Sequence, residues 1–257
     1  NHTYTEAGTY TVSLTVVGPA GTDSTTKTDY ITVNVLPPNA NFEATTTSGT
    51  PDLRVQFINN SVRYTQSDWN FGDGNTSTDT NPMHTYTTVG SYDVSLSVLG
   101  EGGTDLETKT GYINVSTLGT PAIILDPKYT DTSNGSTITL SLKVMGVTGL
   151  AAAQAKLVYD TNNVTIGNVA FGDFLKGNTD PLLIVTKDES NGEVTIYTSS
   201  LSSDKPSADG DGVIATVEFT VTATTSIIFD NSNIIFLDVD GNNITVNGST
   251  SGYIYVN

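Results

Sequence analysis

The sequence predicts an all-β protein: immunoglobulin-like β-sandwiches, the first only in part, followed by a β-sandwich of different make. Three observations predict it. Apolar and polar residues alternate with period two through much of the chain, the pattern of strands with one buried face. Residues 2–33 recur at 84–115, offset by 82 without a gap and identical at 20 of 32 positions; self-similarity of this length marks a modular array. No stretch carries a helical period.

In order, Tyr10, Val12, Leu14 and Val16 alternate with Thr9, Thr11, Ser13 and Thr15, which reads as a half-buried strand. Gly18-Pro19-Ala20-Gly21 is a turn and Thr28 to Val35 the return strand, and a lone hairpin is marginal in water. Leu36-Pro37-Pro38 is a short stiff linker. Ala40–Phe42 and Arg54–Ile58 are strand-like, Trp69 and Phe71 alternate into a core, and Gly72-Asp73-Gly74-Asn75 is a tight turn. Ser91–Leu99 and Thr110–Val115 close this domain, an immunoglobulin-like sandwich of roughly seven short strands. Residue 1 corresponds to residue 83 of the second copy. The first repeat is therefore expected to lack the counterpart of 37–82, which lies upstream, was removed by cleavage, or comes from another subunit.

Ser116 to Thr120 is a second linker, after which the 82-residue echo stops but the strands continue. Ile138, Leu140, Leu142 and Val144 alternate with polar residues, and Leu157-Val158-Tyr159-Asp160 ends a strand. Ile184–Thr186 and Val194–Tyr197 flank Asn191-Gly192, a strong hairpin signal. Asp209-Gly210-Asp211-Gly212 leads into the strand Val213–Val221. Three regions result: 1–36, 37–117 and 118–257.

Composition removes several functions. The formal net charge is −17, which leaves no basic footprint for nucleic acid or an anionic membrane surface. With no cysteine, a disulfide framework, thiol catalysis and thiolate zinc are excluded. No apolar run reaches the ~20 residues of a membrane helix. Only 14% of residues are charged, and the Thr-, Ser-, Asn- and Gly-rich remainder suits an extracellular or cell-surface location.

The residues Trp69-Asn70-Phe71-Gly72-Asp73-Gly74, His84-Thr85-Tyr86 and Gly90-Ser91-Tyr92-Asp93-Val94-Ser95-Leu96 resemble the polycystic-kidney-disease (PKD) repeat family, with Asn70 where Asp is usual. The resemblance covers 39–117 fully and 2–35 as a C-terminal half. It implies a spacer or adhesion module of surface proteins, archaeal surface-layer proteins among them. Region 121–257 resembles cohesin-like domains, nine-stranded jelly rolls, through Ala155–Asp160, Gly210–Phe219 and Asp240-Gly241-Asn242 with Val246-Asn247-Gly248. That resemblance implies a sheet face on strands near 152–159, 182–187 and 193–199 that binds dockerin modules; similar jelly rolls bind carbohydrate.

No catalytic set stands out. His2 and His84 occupy the same repeat position, so both read as structural. Gly248-Ser249-Thr250-Ser251-Gly252 has Thr at its centre and is not a nucleophile elbow. Glu189 and Glu193 flank one turn and do not oppose each other across a cleft. Calcium is the candidate cofactor: Asp209 with Asp211, Asp238 with Asp240, and Asp73 with Asn75 offer hard oxygens in loops. None completes an EF-hand loop, and Asp-Gly pairs also build ordinary turns. Asn1, Asn59, Asn75, Asn114, Asn134, Asn163, Asn243 and Asn247 head Asn-x-Ser/Thr sequons and are candidate glycan sites.

Two functions follow as expectations. One is a non-catalytic rod of β-domains in a surface layer, sheath or filament, assembling with itself or with other surface proteins. The other is a cohesin-like module on PKD spacers that captures dockerin-bearing proteins or polysaccharide.

Overall fold

The computed structural model describes residues 1–257. It divides into two compact units, Asn1–Thr117 and Leu118–Asn257. Both are built of strands, and the one helical element is a 3-10 turn at Asn231–Asn233.

The first unit opens with β1 (Gly8–Gly18) and β2 (Gly21–Val33), a two-stranded antiparallel sheet. β3 (Phe42–Ala44), β4 (Ser48–Gly49), β5 (Leu53–Asn59), β6 (Gln66–Asn70), β7 (Thr76–Ser77), β8 (Met83–Tyr86), β9 (Gly90–Gly100) and β10 (Gly103–Val115) follow. They form two sheets, ordered β4-β10-β9-β6-β7 and β3-β5-β8. Alternation decides what lies between them: Val94, Leu96 and Val98 of β9 point inward and meet Phe42, Phe57, Trp69 and Phe71 in one core. Trp69 is fully buried, and its Nε1 donates to Asp79 O at 3.0 Å, so the indole buries no unpaired donor.

The expected turn at 72–75 forms. Gly72 and Gly74 take φ +83° and +96°, a region that side chains with a Cβ rarely adopt. A Cβ on Gly72 would also stand 2.3 Å from Asp93 O.

β1 and β2 copy the internal geometry of β9 and β10. Each pair carries a bulge, between Tyr10 and Val12 in one and between Lys109 and Ile113 in the other. At the bulge Asp29 (φ +50°) and Gly111 (φ +57°) occupy the same repeat position. The Asp29 amide donates to Thr11 Oγ1 at 3.2 Å, and the Gly111 amide to Asp93 Oδ1 at 2.6 Å. One expectation changes. Val94, Leu96 and Val98 are 0%, 0% and 1% exposed, whereas their counterparts Val12, Leu14 and Val16 are 37%, 61% and 54% exposed. The strand predicted to be half-buried has its apolar face in solvent, because no counterpart of β3–β7 lies against it.

The second unit comprises β11 (Ala122–Asp126), β12 (Tyr129–Thr132), β13 (Ser136–Leu150), β14 (Ala152–Val158), β15 (Val164–Phe171) and β16 (Leu182–Asp188). It continues with β17 (Glu193–Ser199), β18 (Ala208–Val221), β19 (Thr225–Phe229), β20 (Ile235–Leu237), β21 (Asn243–Ile244), β22 (Gly248–Thr250) and β23 (Gly252–Val256). One sheet runs β15-β18-β13-β11-β22. The other runs β12-β23-β19-β14-β17-β16, with β20 paired to β14 and β21 to β20. Leu140, Leu142, Val217 and Phe219 from the first sheet and Leu157, Val194, Ile196 and Ile254 from the second share one core.

Asn191-Gly192 makes the turn between β16 and β17. Gly192 has φ +66°, its carbonyl accepts from Tyr159 N at 2.8 Å, and an added Cβ would lie 2.0 Å from Tyr159 O. Gly192→Ala is therefore expected to cost on the order of 2 kcal/mol. A chemical-denaturation midpoint of the second unit that does not move would contradict this.

Candidate protein-binding face

The outer face of the β16–β17–β14 sheet is assembled by register. β17 turns Val194, Ile196 and Thr198 inward, and β14 turns Ala153, Ala155 and Leu157 inward. With period two, the alternate residues of each strand line the outside. Ile184 pairs with Tyr197, Tyr197 with Gln154, and Gln154 with Ile235. The next row runs Leu182, Ser199, Ala152, Leu237 through the same pairings. Leu182, Ile184, Tyr197 and Ile235 are all exposed, so one end of the face is an uncovered apolar patch.

A charged band crosses the middle of this face. Lys156 Nζ lies 2.7 Å from Glu193 Oε2 and 3.7 Å from Asp230 Oδ2. The hydrogen bond to Glu193 raises the Lys156 pKa above its usual value. Asp230 is held below the usual carboxylate value by hydrogen bonds from Ser232 and Asn233. Beyond the band the surface turns apolar and aromatic again. Val158 pairs with Ile228, and Tyr253 stacks on Tyr129 at 5.5 Å between ring centroids. A shallow cavity of about 620 Å³ opens there between Val158, Ile228, Tyr253 and Tyr255.

The other sequence candidates are placed as follows. Asp209 Oδ1 accepts from the Gly149 amide at 2.6 Å and Asp211 Oδ1 from the Gly146 amide at 2.7 Å. Both amides sit where β13 bulges away from β18. Asp238 Oδ1 accepts from the Asp240 and Asn242 amides at 2.9 and 2.8 Å, and hydrogen bonds from Asn242 lower its pKa. Asp240 is exposed in that turn. The carboxylates of Asp209, Asp211 and Asp238 thus accept from backbone amides, and no group of three or more Asp, Glu or His side chains is placed to share a metal ion. Glu193 joins Lys156 on the face, whereas Glu189 is exposed in the neighbouring turn.

Among the sequons, Asn1, Asn75, Asn114, Asn134, Asn243 and Asn247 are exposed. The Nδ2 of Asn59 is buried. The Nδ2 groups of Asn75, Asn163 and Asn247 donate to Asp73, Asp160 and Thr120 O at 3.1, 2.9 and 2.7 Å.

In the first unit, His84 Nε2 lies 2.7 Å from Asp73 Oδ2, and its ring lies flat on Phe71 at 4.2 Å. Tyr86 Oη donates to Phe71 O at 3.0 Å, and burial pushes the phenol well above its usual pKa. Burial of the Asp73 carboxylate works against its charge, but hydrogen bonds from His84 and Asn75 outweigh it and lower the pKa. A carboxylate lowered in the fold contributes stability that is fully present above its unfolded value of about 3.9 and is lost as pH falls through the folded value. Asp73→Asn is therefore expected to flatten the loss of first-unit stability below about pH 4. Parallel acid curves for the two proteins, followed by urea unfolding, would remove Asp73 from this account.

The second unit is a β-sandwich with an exposed apolar patch on one sheet face, an arrangement of the binding and structural class of β-domain. A PKD domain model matches residues 35–115 and a cohesin domain model matches residues 125–256. The chain belongs to the cohesin family and carries a PKD domain ahead of its cohesin domain.

Among solved structures it is similar to a non-cellulosomal cohesin from Archaeoglobus fulgidus, at 19% identity, covering 53% of this chain and 90% of that one, TM-score 0.44. It is also similar to the third cohesin of ScaC from Acetivibrio cellulolyticus, solved in complex with the ScaB dockerin, at 20% identity, covering 52% and 98%, TM-score 0.46. A third is the Coh-OlpC-Doc435 cohesin–dockerin complex from Clostridium thermocellum, at 16% identity, covering 52% and 90%, TM-score 0.45. No curated protein matches the chain. No helix is long and apolar enough to cross a membrane.

Proposed function

We propose that the chain captures a dockerin-bearing protein on the outer β16–β17–β14 face. The observation that carries this reading is the exposed apolar row Ile184, Tyr197 and Ile235 on the domain that the cohesin model matches. Apolar and aromatic anchors on a flat surface supply most of the affinity in such contacts, and the Lys156–Glu193–Asp230 band beside them fixes register and selects partners. The PKD domain acts as a spacer. Calorimetric titration of the full chain with each dockerin module encoded in the same genome tests this. A saturable one-to-one complex is expected, and no heat from any module at ~100 μM would overturn it.

The reading as a rod of a cell-surface layer, sheath or filament draws its support from the tandem repeat at 2–33 and 84–115. It places the protein outside the cell with polysaccharide or other surface proteins around it. Immunogold labelling of intact cells tests that location, and label confined to the cell interior would refute it.

A further inference from the structure

Across the Lys156 band from the row Ile184, Tyr197 and Ile235, the same sheet ends in a cluster of tyrosines. The parallel pairing of β12 with β23 sets Tyr129 beside Tyr253, and the pairing of β23 with β19 sets Ser226 on the other side of Tyr253. Ile254 and Ile227 are fully buried, so period two carries Tyr253, Tyr255, Ser226 and Ile228 to the outside. Tyr253 and Ile228 are 40% and 44% exposed. The rings of Tyr129 and Tyr253 lie 26° from parallel, which makes a flat platform and not a box of rings at right angles.

The remaining lining of the 620 Å³ cavity is polar and already fixed. It comes from Asp160 and Asn163 in the loop after β14 and from Thr224 and Thr225 at the start of β19. Asp160 accepts from the Asn162 amide and from Asn163 Nδ2, both at 2.9 Å. The Asn163 carbonyl accepts from Thr222 N at 2.9 Å, and Thr224 Oγ1 accepts from Val256 N at 3.0 Å. The two loops are tied to each other and to β23, so little is lost to ordering when a ligand enters. No Lys, Arg or His lines the cavity, and Asp160 is its one charged group. Lys128 lies over Tyr129, 5.3 Å from the ring centroid, outside this lining.

We propose that this cavity binds a neutral pyranose unit of a glycan. The C–H face of the sugar rests on the Tyr253 ring, whose π-face is electron-rich. Its hydroxyls reach the Thr225 and Ser226 hydroxyls, the Asn163 side-chain carbonyl and the Asp160 carboxylate. The volume falls within the roughly 300–1,000 Å³ of small-ligand sites. An anion does not suit the site, since no cation lines it and the chain carries a formal charge of −17. A quaternary ammonium is held by rings that enclose it, and near-parallel rings do not. The site does not depend on capture of a dockerin-bearing protein on the other end of the face.

The test titrates the isotope-labelled full chain with cellohexaose, xylohexaose and mannohexaose and follows backbone amide resonances. At least one of these is expected to shift residues 224–228 and 252–256 saturably below ~10 mM while β16 stays unmoved. Tyr253→Ala and Ile228→Lys are each expected to weaken that binding by at least about 10-fold. Both side chains are exposed, and unchanged amide resonances in β13 and β18 show that the variants fold. Tyr197→Lys is expected to bind the glycan as wild type does, which separates this site from dockerin capture. No shift with any of these glycans at ~10 mM overturns the proposal, and so does wild-type affinity in both cavity variants. A shift at the same residues with choline or polygalacturonate but with none of the neutral glycans also overturns it, since the occupant is then a cation or an anion.

Discussion

Trp69→Ala is expected to unfold the 37–117 domain at room temperature while residues 118–257 stay folded. Trp69 is fully buried. Its ring meets Phe42 at 5.2 Å, Phe57 at 5.5 Å and Phe71 at 6.5 Å between centroids, and its Nε1 holds Asp79 O. Truncating such a residue costs about 3–5 kcal/mol, and a small domain has only about 5–15 kcal/mol in total. The Asp79 carbonyl loses its donor as well. Hydrogen exchange separates the outcomes: amides of β5, β6 and β9 should lose protection, and those of β13 and β18 should keep it. Trp69→Phe refills most of the volume and is expected to retain the fold. A Trp69→Ala protein with an unshifted urea midpoint would mean that the motif is not the keystone of this core.

Tyr197→Lys is expected to weaken the proposed capture of a dockerin-bearing protein by at least about 30-fold, the size of a central aromatic anchor worth 2 kcal/mol or more. Tyr197 is central because its register neighbours are Ile184 on one side and Gln154 on the other. Its side chain is exposed, so the substitution leaves the core intact and should move stability by no more than about 0.5 kcal/mol. Thr139→Lys is the control. Thr139 is an exposed residue of the opposite sheet, paired with Glu218, and introduces the same charge away from the face. Titration should show loss for the first variant and wild-type affinity for the second. Equal affinities for both would move the binding surface elsewhere on the molecule.

Much of this was legible in the sequence, and the reasons differ by feature. The strands declared themselves because Val94, Leu96 and Val98 alternate with polar residues, and burial follows alternation directly. The 72–75 turn was legible because Gly72 and Gly74 adopt a backbone that side chains resist. The three segments near 152–159, 182–187 and 193–199 do lie side by side as β14, β16 and β17. Their outward rows were not legible, since a row such as Ile184, Tyr197, Gln154, Ile235 exists only once the register is known. A one-residue slip would turn every one of these side chains over.

The Lys156–Asp230 pair spans 74 positions of sequence and left no local trace. Asp209 and Asp211 show the opposite difficulty. An aspartate beside glycine offers the same oxygens to a cation or to an amide, and the geometry of the β13 bulges has one oxygen of each accept from an amide, at Gly146 and Gly149. The offset of 82 residues had already left β1 without a counterpart of residues 37–82; alternation alone records which side of a strand is apolar, not whether anything arrives to cover it.

β16 ends its sheet, so one side of Leu182–Thr186 presents unsatisfied backbone donors and acceptors, and the segment holds no charge and no proline. Such a segment is a template on which further chains can stack into fibrils. Pro181 precedes it and Lys187 follows it, with the lysine ammonium anchored on Gly167 O at 2.7 Å. These two residues act as gatekeepers: the proline cannot extend the ladder, and the fixed charge is costly to bury between stacked copies. The same accessibility that would open the face to the proposed partner thus makes solubility at high concentration depend on one ring and one ammonium group.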